Sequence, residues 1–147
     1  MNKIELHYDI ERNPDDLFAF LTDFNRLTTW RTLEDIRVEP AGKAEVGAKL
    51  FTKVKGIGKP MHFTNEIVEL DPANRKYLDK GLDGTFIIQS GWTVEPQGNG
   101  SRLNWITEFE AHGPMALMTP ILRRAIRSGQ LKDLAKLKTL VENNAAV

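Results

Sequence analysis

Polar and apolar residues alternate from the first positions of the chain. Across residues 3–11, Ile4, Leu6, Tyr8 and Ile10 fall between Glu5, His7, Asp9 and Glu11, the period of a strand with one buried face. The pattern then breaks at Asn13-Pro14-Asp15-Asp16, which supplies an N-cap, a proline at the first helical position and acids in the first turn. Leu17, Phe18, Phe20, Leu21 and Phe24 give that helix its apolar face, and residues 25–30 predict a second short helix. Six strands follow, over 35–40, 48–55, 59–70, 75–80, 85–95 and 102–111, separated by Gly-, Pro- and Asn-containing breaks at 41–42, 56–58, 71–74, 81–84 and 97–100. These gaps are too short for parallel crossovers, so the sheet is antiparallel, an up-and-down meander after the first strand. Gly47 and Gly91 fall in or beside strands, where glycine marks a bulge or bend.

Residues 113–142 change the period to three and four. Met118, Leu122, Ala125, Gly129, Leu131, Leu134, Leu137 and Val141 form one stripe, which predicts a helix of ~30 residues and ~45 Å. That length suits a strongly curved sheet wrapped around the helix. Pro114 fits a first turn, but Pro120 removes the bond to the carbonyl of Ala116. Either the helix kinks near Pro120, or it starts there and 114–119 is a separate turn. Gly129, which weakens a helix by ~1 kcal/mol relative to Ala, implies a close approach to the sheet.

Composition narrows the function classes. The chain has 147 residues, one domain by length, able to bury about 68–70% of its unfolded surface. Its 20 basic and 20 acidic residues create no global field to gather nucleic acid or an anionic membrane. Zero cysteines exclude disulfides, thiolate metal sites and a thiol nucleophile. No run approaches the ~18 apolar residues of a membrane span, and the start Met1-Asn2-Lys3-Ile4-Glu5 lacks the apolar core of a signal peptide. A cytoplasmic location is expected.

Particular stretches resemble a known family. The order Pro14-Asp15-Asp16-Leu17-Phe18-Ala19-Phe20-Leu21-Thr22-Asp23, then Trp30, then Ile67-Val68-Glu69-Leu70-Asp71-Pro72, then Trp92-Thr93-Val94-Glu95-Pro96 and Gly100-Ser101-Arg102-Leu103 is similar to the polyketide cyclase/dehydrase branch of the START-type, helix-grip (SRPBCC) superfamily. Ser101 departs from the more usual Gly-Thr pair, which touches only the turn type. The resemblance covers essentially the whole chain and implies an α+β helix-grip fold. In that fold a seven-stranded curved antiparallel sheet, with two short helices after its first strand, wraps a long C-terminal helix and leaves a cavity between them. The superfamily spans lipid carriers, plant hormone and allergen proteins, aromatic cyclases, chaperone activators and oxygenase domains, so fold analogy does not fix the function.

The candidate ligand-binding residues follow from the inward faces. In the sixth strand Phe86, Ile88, Ser90, Trp92 and Val94 share one face, and in the seventh Leu103, Trp105, Thr107 and Phe109 do. Large aromatics beside isolated Ser90 and Thr107 give either an apolar pocket with a few polar anchors or a filled core in which Ser and Thr bond locally. In the fourth strand Met61, Phe63, Asn65 and Ile67 form one face while Val68 and Leu70 belong to the other, so the register changes at a bulge. The need to bury Met61 and Phe63 favours Asn65 inward, an amide able to hold a hydroxyl or a carbonyl. The opposite register would turn His62 and Glu66 in as an acid–base pair. Met115, Met118 and Leu122 complete the candidate site from the helix, opposite Trp92 and Trp105.

Catalytic and cofactor chemistry has weak support. His7, His62 and His112 lie on separate strands without metal-ligand spacing, and no nucleophile elbow, phosphate loop or dinucleotide fingerprint is present. Neither metal nor cofactor is expected. Two basic groups, Lys43, Lys49, Lys53, Lys55 and Lys59 around the second hairpin, and Arg123, Arg124, Arg127, Lys132, Lys136 and Lys138 on the long helix against only Asp133, read as solvated faces. A docking surface for an acidic protein, RNA or membrane is the alternative, although single-strand RNA binding would call for interleaved aromatics. The sequence favours binding of a hydrophobic or aromatic small molecule, as carrier or sensor. Polyketide cyclisation or dehydration, with His62, Glu66, Asn65 or Asp35 as acid or base, is the catalytic alternative. Oligomeric state has no signature in the sequence.

Overall fold

The computed structural model describes residues 1–40, 43–55, 59–82 and 84–143. Its strands are β1 (Asn2–Ile10), β2 (Asp35–Glu39), β3 (Lys49–Val54), β4 (Met61–Asp71), β5 (Lys76–Gly81), β6 (Phe86–Gln97) and β7 (Gly100–Ala111). They form one antiparallel sheet in the order β1-β7-β6-β5-β4-β3-β2, the expected meander closed by pairing β1 against β7. The expected breaks at Ala41-Gly42 and Gly56-Ile57-Gly58, and Asp83 within the break after β5, lie outside the described residues.

Helix α1 (Pro14–Leu21) starts as its sequence dictates. The Asn13 side chain accepts from the backbone N–H groups of Asp15 and Asp16 at 2.9 and 3.2 Å, and Pro14 occupies the first turn. A 3₁₀ turn, Phe24–Thr29, follows. Together they bury Leu17, Phe18, Leu21, Phe24, Leu27 and Trp30 against the concave face of the sheet.

The C-terminal segment settles the alternatives at Pro120. A 3₁₀ turn, Gly113–Met118, precedes helix α2 (Thr119–Glu142), in which Pro120 lies in the first turn. The single 30-residue helix is thus corrected to 24 residues; proline costs least where its missing N–H would have had no helical partner. The buried stripe is also different. Gln130, Asp133, Leu134, Leu137 and Val141 face the sheet, Leu122 and Ile126 are partly covered, and Leu131 and Ala125 turn outward. Apolarity alone misplaced Leu131 and Asp133, because a charge with a buried partner can occupy an inward position.

Gly129 does not make the close approach expected of it. A Cβ there would meet nothing within 4 Å. Gly129→Ala is therefore expected to stabilise the protein by about 1 kcal/mol through helix propensity, read as a higher urea midpoint. An unchanged or lower midpoint would show that the backbone needs the glycine.

The β4 bulge appears where the pattern changes phase: the register with β5 shifts between Ile67 and Glu69. Met61, Phe63, Asn65 and Ile67 face the helix, with Ile67 fully buried, while Val68, at the bulge itself, is 39% exposed. Among the described residues, no helix is long and apolar enough to cross a membrane.

Candidate functional site

The space between sheet and helix is divided into a packed half and a hollow half. The packed half is aromatic. Trp30, Trp92 and Trp105 lie with ring centroids 5.9 to 6.3 Å apart, and Tyr77 packs at a tilt against Trp92 at 4.8 Å. These rings are at most 2% exposed. They fill this half with ring-to-ring contacts.

The hollow half is a cavity of about 600 Å³. Met61, Phe63 and Asn65 of β4 and Phe86 and Ile88 of β6 form two walls; Met115, Met118 and Leu122 from the start of the C-terminal segment form the third. Phe63 and Phe86 meet edge to face at 5.6 Å. Lys59, His62 and Thr85 stand at its exposed margin. Among the described lining residues Asn65 alone is buried, at 8% exposure, so it forms the floor.

The cavity opens where the sheet comes apart. β5 pairs with β6 only from Lys76 to Leu78, opposite Thr93 to Gly91, and beyond that point β5 continues along β4 alone. Backbone groups left without ladder partners must be satisfied by something else, and side chains replace them. Asp79 accepts from the Ser90 N–H at 3.0 Å, the Asn65 amide donates to the Ile88 carbonyl at 2.7 Å, and the Gly81 N–H donates to the Gln89 side chain at 3.0 Å. Gly81 also has to be small, since a Cβ there would lie 2.3 Å from Ile87 Cγ2.

Asp79 is the centre of this patch. Besides Ser90 it accepts from Tyr77 Oη at 2.6 Å and from Asn65 Nδ2 at 2.9 Å. Burial pushes its carboxyl above the usual carboxylate range, while its three hydrogen bonds and the Arg31 charge pull the other way. Tyr77 is held well above its ordinary value, first by burial and then by the Asp79 charge, and so remains a donor.

A second polar group pins the helix to the segment before β2. Arg31 Nε donates to Asp133 Oδ2 at 3.1 Å and Thr32 Oγ1 donates to Asp133 Oδ1 at 2.6 Å. The Arg31 guanidinium lies over the Trp105 ring at 4.7 Å. Burial lowers its pKa from the usual arginine value, and the Asp133 charge opposes this. The sequence reading, which set Asp133 among outward lysines, is corrected here.

Seven of the twelve expected site residues line the cavity: Phe63, Asn65, Phe86, Ile88, Met115, Met118 and Leu122. Five do not. Trp92, Trp105 and Phe109 are packed core; Thr107 accepts from Gln130 Nε2 at 2.6 Å, and Ser90 accepts from Trp105 Nε1 at 3.4 Å. Those serine and threonine hydroxyls bond locally. Met118 accordingly faces Phe63 and Phe86 across the cavity rather than Trp92 and Trp105.

The acid–base candidates are not assembled. His62 is exposed, Glu66 and Asp35 lie off the cavity wall, and no hydrogen bond joins His62 to Glu66. His7 meets Asn104 on the outer face, and exposed His112 pairs with Glu110 at 3.4 Å. Among the described residues no three His, Cys, Asp or Glu side chains are grouped to hold a metal ion. Several basic side chains are engaged locally, Lys43 with Glu45, Lys53 with Glu34, and Arg123 with the Lys3 carbonyl and the Phe109 ring. Tyr77, Asp79, Arg31 and Gln130 were not anticipated as part of the site's support.

Comparison with known proteins agrees with this architecture. Residues 1–142 match the family described as polyketide cyclase / dehydrase and lipid transport. TTHA0849 from Thermus thermophilus superposes with a TM-score of 0.83 at 18% identity, over 97% of this chain and 99% of that one. The Zhui aromatase/cyclase from Streptomyces sp. R1128 gives 0.81 at 14% identity, over 98% and 95%. Norcoclaurine synthase from Thalictrum flavum, solved with dopamine and hydroxybenzaldehyde, gives 0.72 at 17% identity, over 97% and 87%. These likenesses establish the helix-grip fold. No curated protein sequence matches the chain.

Proposed function

We infer that this chain, which belongs to the polyketide cyclase/dehydrase and lipid transport family, takes a hydrophobic or aromatic small molecule into the cavity between β4, β6 and the start of α2, as a carrier or sensor. The observation that carries this reading is the cavity itself: about 600 Å³, walled by Phe63, Phe86, Ile88, Met115, Met118 and Leu122, with one buried polar residue at its floor. Small-molecule sites have this size and this mixture of apolar wall and sparse polar anchor. Methionines in the wall suit ligands of varied shape, because the thioether side chain re-packs easily. Carriage is favoured over turnover because the cavity's ionisable side chains, Lys59 and His62, are exposed at its margin, while Glu66 and Asp35 lie off its wall.

The test adds bulk at Met118. In a filled site Met118→Trp would overpack and cost about 1–3 kcal/mol. In a hollow one the indole occupies open space, so unfolding is expected to stay within about 0.5 kcal/mol of the unmodified protein. Binding of 1-anilinonaphthalene-8-sulfonate, followed by its fluorescence, is expected to be lost. A large loss of stability, or unaltered dye binding, would sink the reading.

A further inference from the structure

We propose that the cavity selects ligands that carry a hydrogen-bond donor, a phenolic or alcoholic hydroxyl, at their deep end, and discriminates against a ketone or ether oxygen in the same place. The proposal rests on the ligand-binding reading above. It comes from what Asn65 has left to offer. An Asn side chain has two N–H donors and one carbonyl acceptor. Both donors of Asn65 are committed, one to Asp79 Oδ1 at 2.9 Å and one to the Ile88 carbonyl at 2.7 Å.

The orientation of the amide is forced. Turned over, Asn65 would aim its oxygen at a backbone carbonyl and at a carboxylate oxygen that already accepts the Ser90 N–H at 3.0 Å; neither can donate to it. Asn65 Oδ1 accepts no hydrogen bond from any described residue, and it is not among the side-chain atoms sealed from solvent without a partner. It therefore reaches the cavity that Asn65 lines. Donation into Asp79 also polarises the amide and strengthens its oxygen as an acceptor.

The surroundings fit an aromatic hydroxyl. Phe63 and Phe86 flank the floor at 5.6 Å from one another, apolar walls against which a ring can lie while its hydroxyl donates to Asn65. A ligand oxygen without a proton at that point would face another acceptor and lose its water for nothing.

The experiment uses a matched pair of probes on the full chain: 2-naphthol and 2-methoxynaphthalene, titrated calorimetrically and in competition with the fluorescent dye. Hydrophobicity alone favours the methoxy compound, so a preference for 2-naphthol reports the hydrogen bond. About tenfold tighter binding of 2-naphthol is expected, the worth of one such bond, with a change in the carbon-13 shift of the Asn65 side-chain carbonyl on binding. Asn65→Leu should bind both compounds alike. If that variant does not fold, the pair measured on the unmodified protein decides alone. Equal affinities, or tighter binding of the ether, would overturn the donor requirement and leave the cavity reading standing. Failure of both compounds to bind or to displace the dye would instead remove the cavity reading, and this inference with it.

Discussion

Asp133→Ala is expected to destabilise the protein by about 3 kcal/mol, because it strands a guanidinium with nowhere to go. Breaking one side of a buried ion pair costs about 3–5 kcal/mol, most of it from the charge left behind. Here Asp133 is 6% exposed in its side chain and Arg31 20%, so a little water can reach the arginine and the lower end applies. The Thr32 hydroxyl loses its acceptor in the same change. Arg31 stays charged at any accessible pH, so it has no neutral form to fall back on. Urea unfolding of the variant checks the value, and Arg31→Met with Asp133→Leu should recover most of the loss by replacing the pair with packed apolar atoms. A loss below about 1 kcal/mol for Asp133→Ala would mean that helix and loop part easily and the guanidinium reaches solvent.

A larger effect, about 4 kcal/mol, is expected for Asp79→Ala. Three donors lose their acceptor at once: Tyr77 Oη, Ser90 N–H and Asn65 Nδ2. Each unsatisfied buried group costs about 1–3 kcal/mol, and relaxation around the gap keeps the sum below the maximum. Asp79→Asn keeps an acceptor and removes the buried charge, so its cost at neutral pH should be much smaller. The pH dependence has a definite sign. The Asp79 carboxyl is raised in the folded protein. Its contribution to stability is therefore fully present below the unfolded carboxyl value, about 3.9, and is lost as pH rises through the folded value. Measured from pH 4 to 7, the stability of Asp79→Asn relative to the unmodified protein should improve as pH rises. Improvement as pH falls would show that the hydrogen bonds outweigh burial.

Both predictions concern residues that were hard to read from sequence, and the reason is physical. Alternation identifies the face of a strand, and it did so for Trp92, Trp105, Thr107 and Phe109, all buried. It does not say how far along the face the packing ends and the cavity begins. Phe86 and Ile88 line the hollow while Trp92, four residues on from Ile88, is core. The bulge in β4 was legible because Val68 and Leu70 break the phase set by Met61, Phe63 and Asn65. In β5 a signal was present and went unused: Tyr77 and Asp79 share a face opposite Leu78, which is 37% exposed. The pairing of Arg31 with Asp133, 102 residues apart, left no trace in any local pattern. Its only hint was the position of Asp133, four residues before buried Leu137.

The early end of the β5–β6 ladder has one more consequence, for how such a protein can diversify. From Asp79 onward no backbone-to-backbone pairing joins β5 to β6, and Asp79, Asn65 and Gln89 have replaced the missing rungs. Residues inserted into the connection between the two strands would therefore lengthen one rim of the chamber without removing a rung from the sheet, and loop length itself adds little to the entropy of closure. Descendants of this chain could change the capacity of the chamber by insertion there while their folding machinery, the aromatic half and the Arg31–Asp133 clasp, stayed untouched.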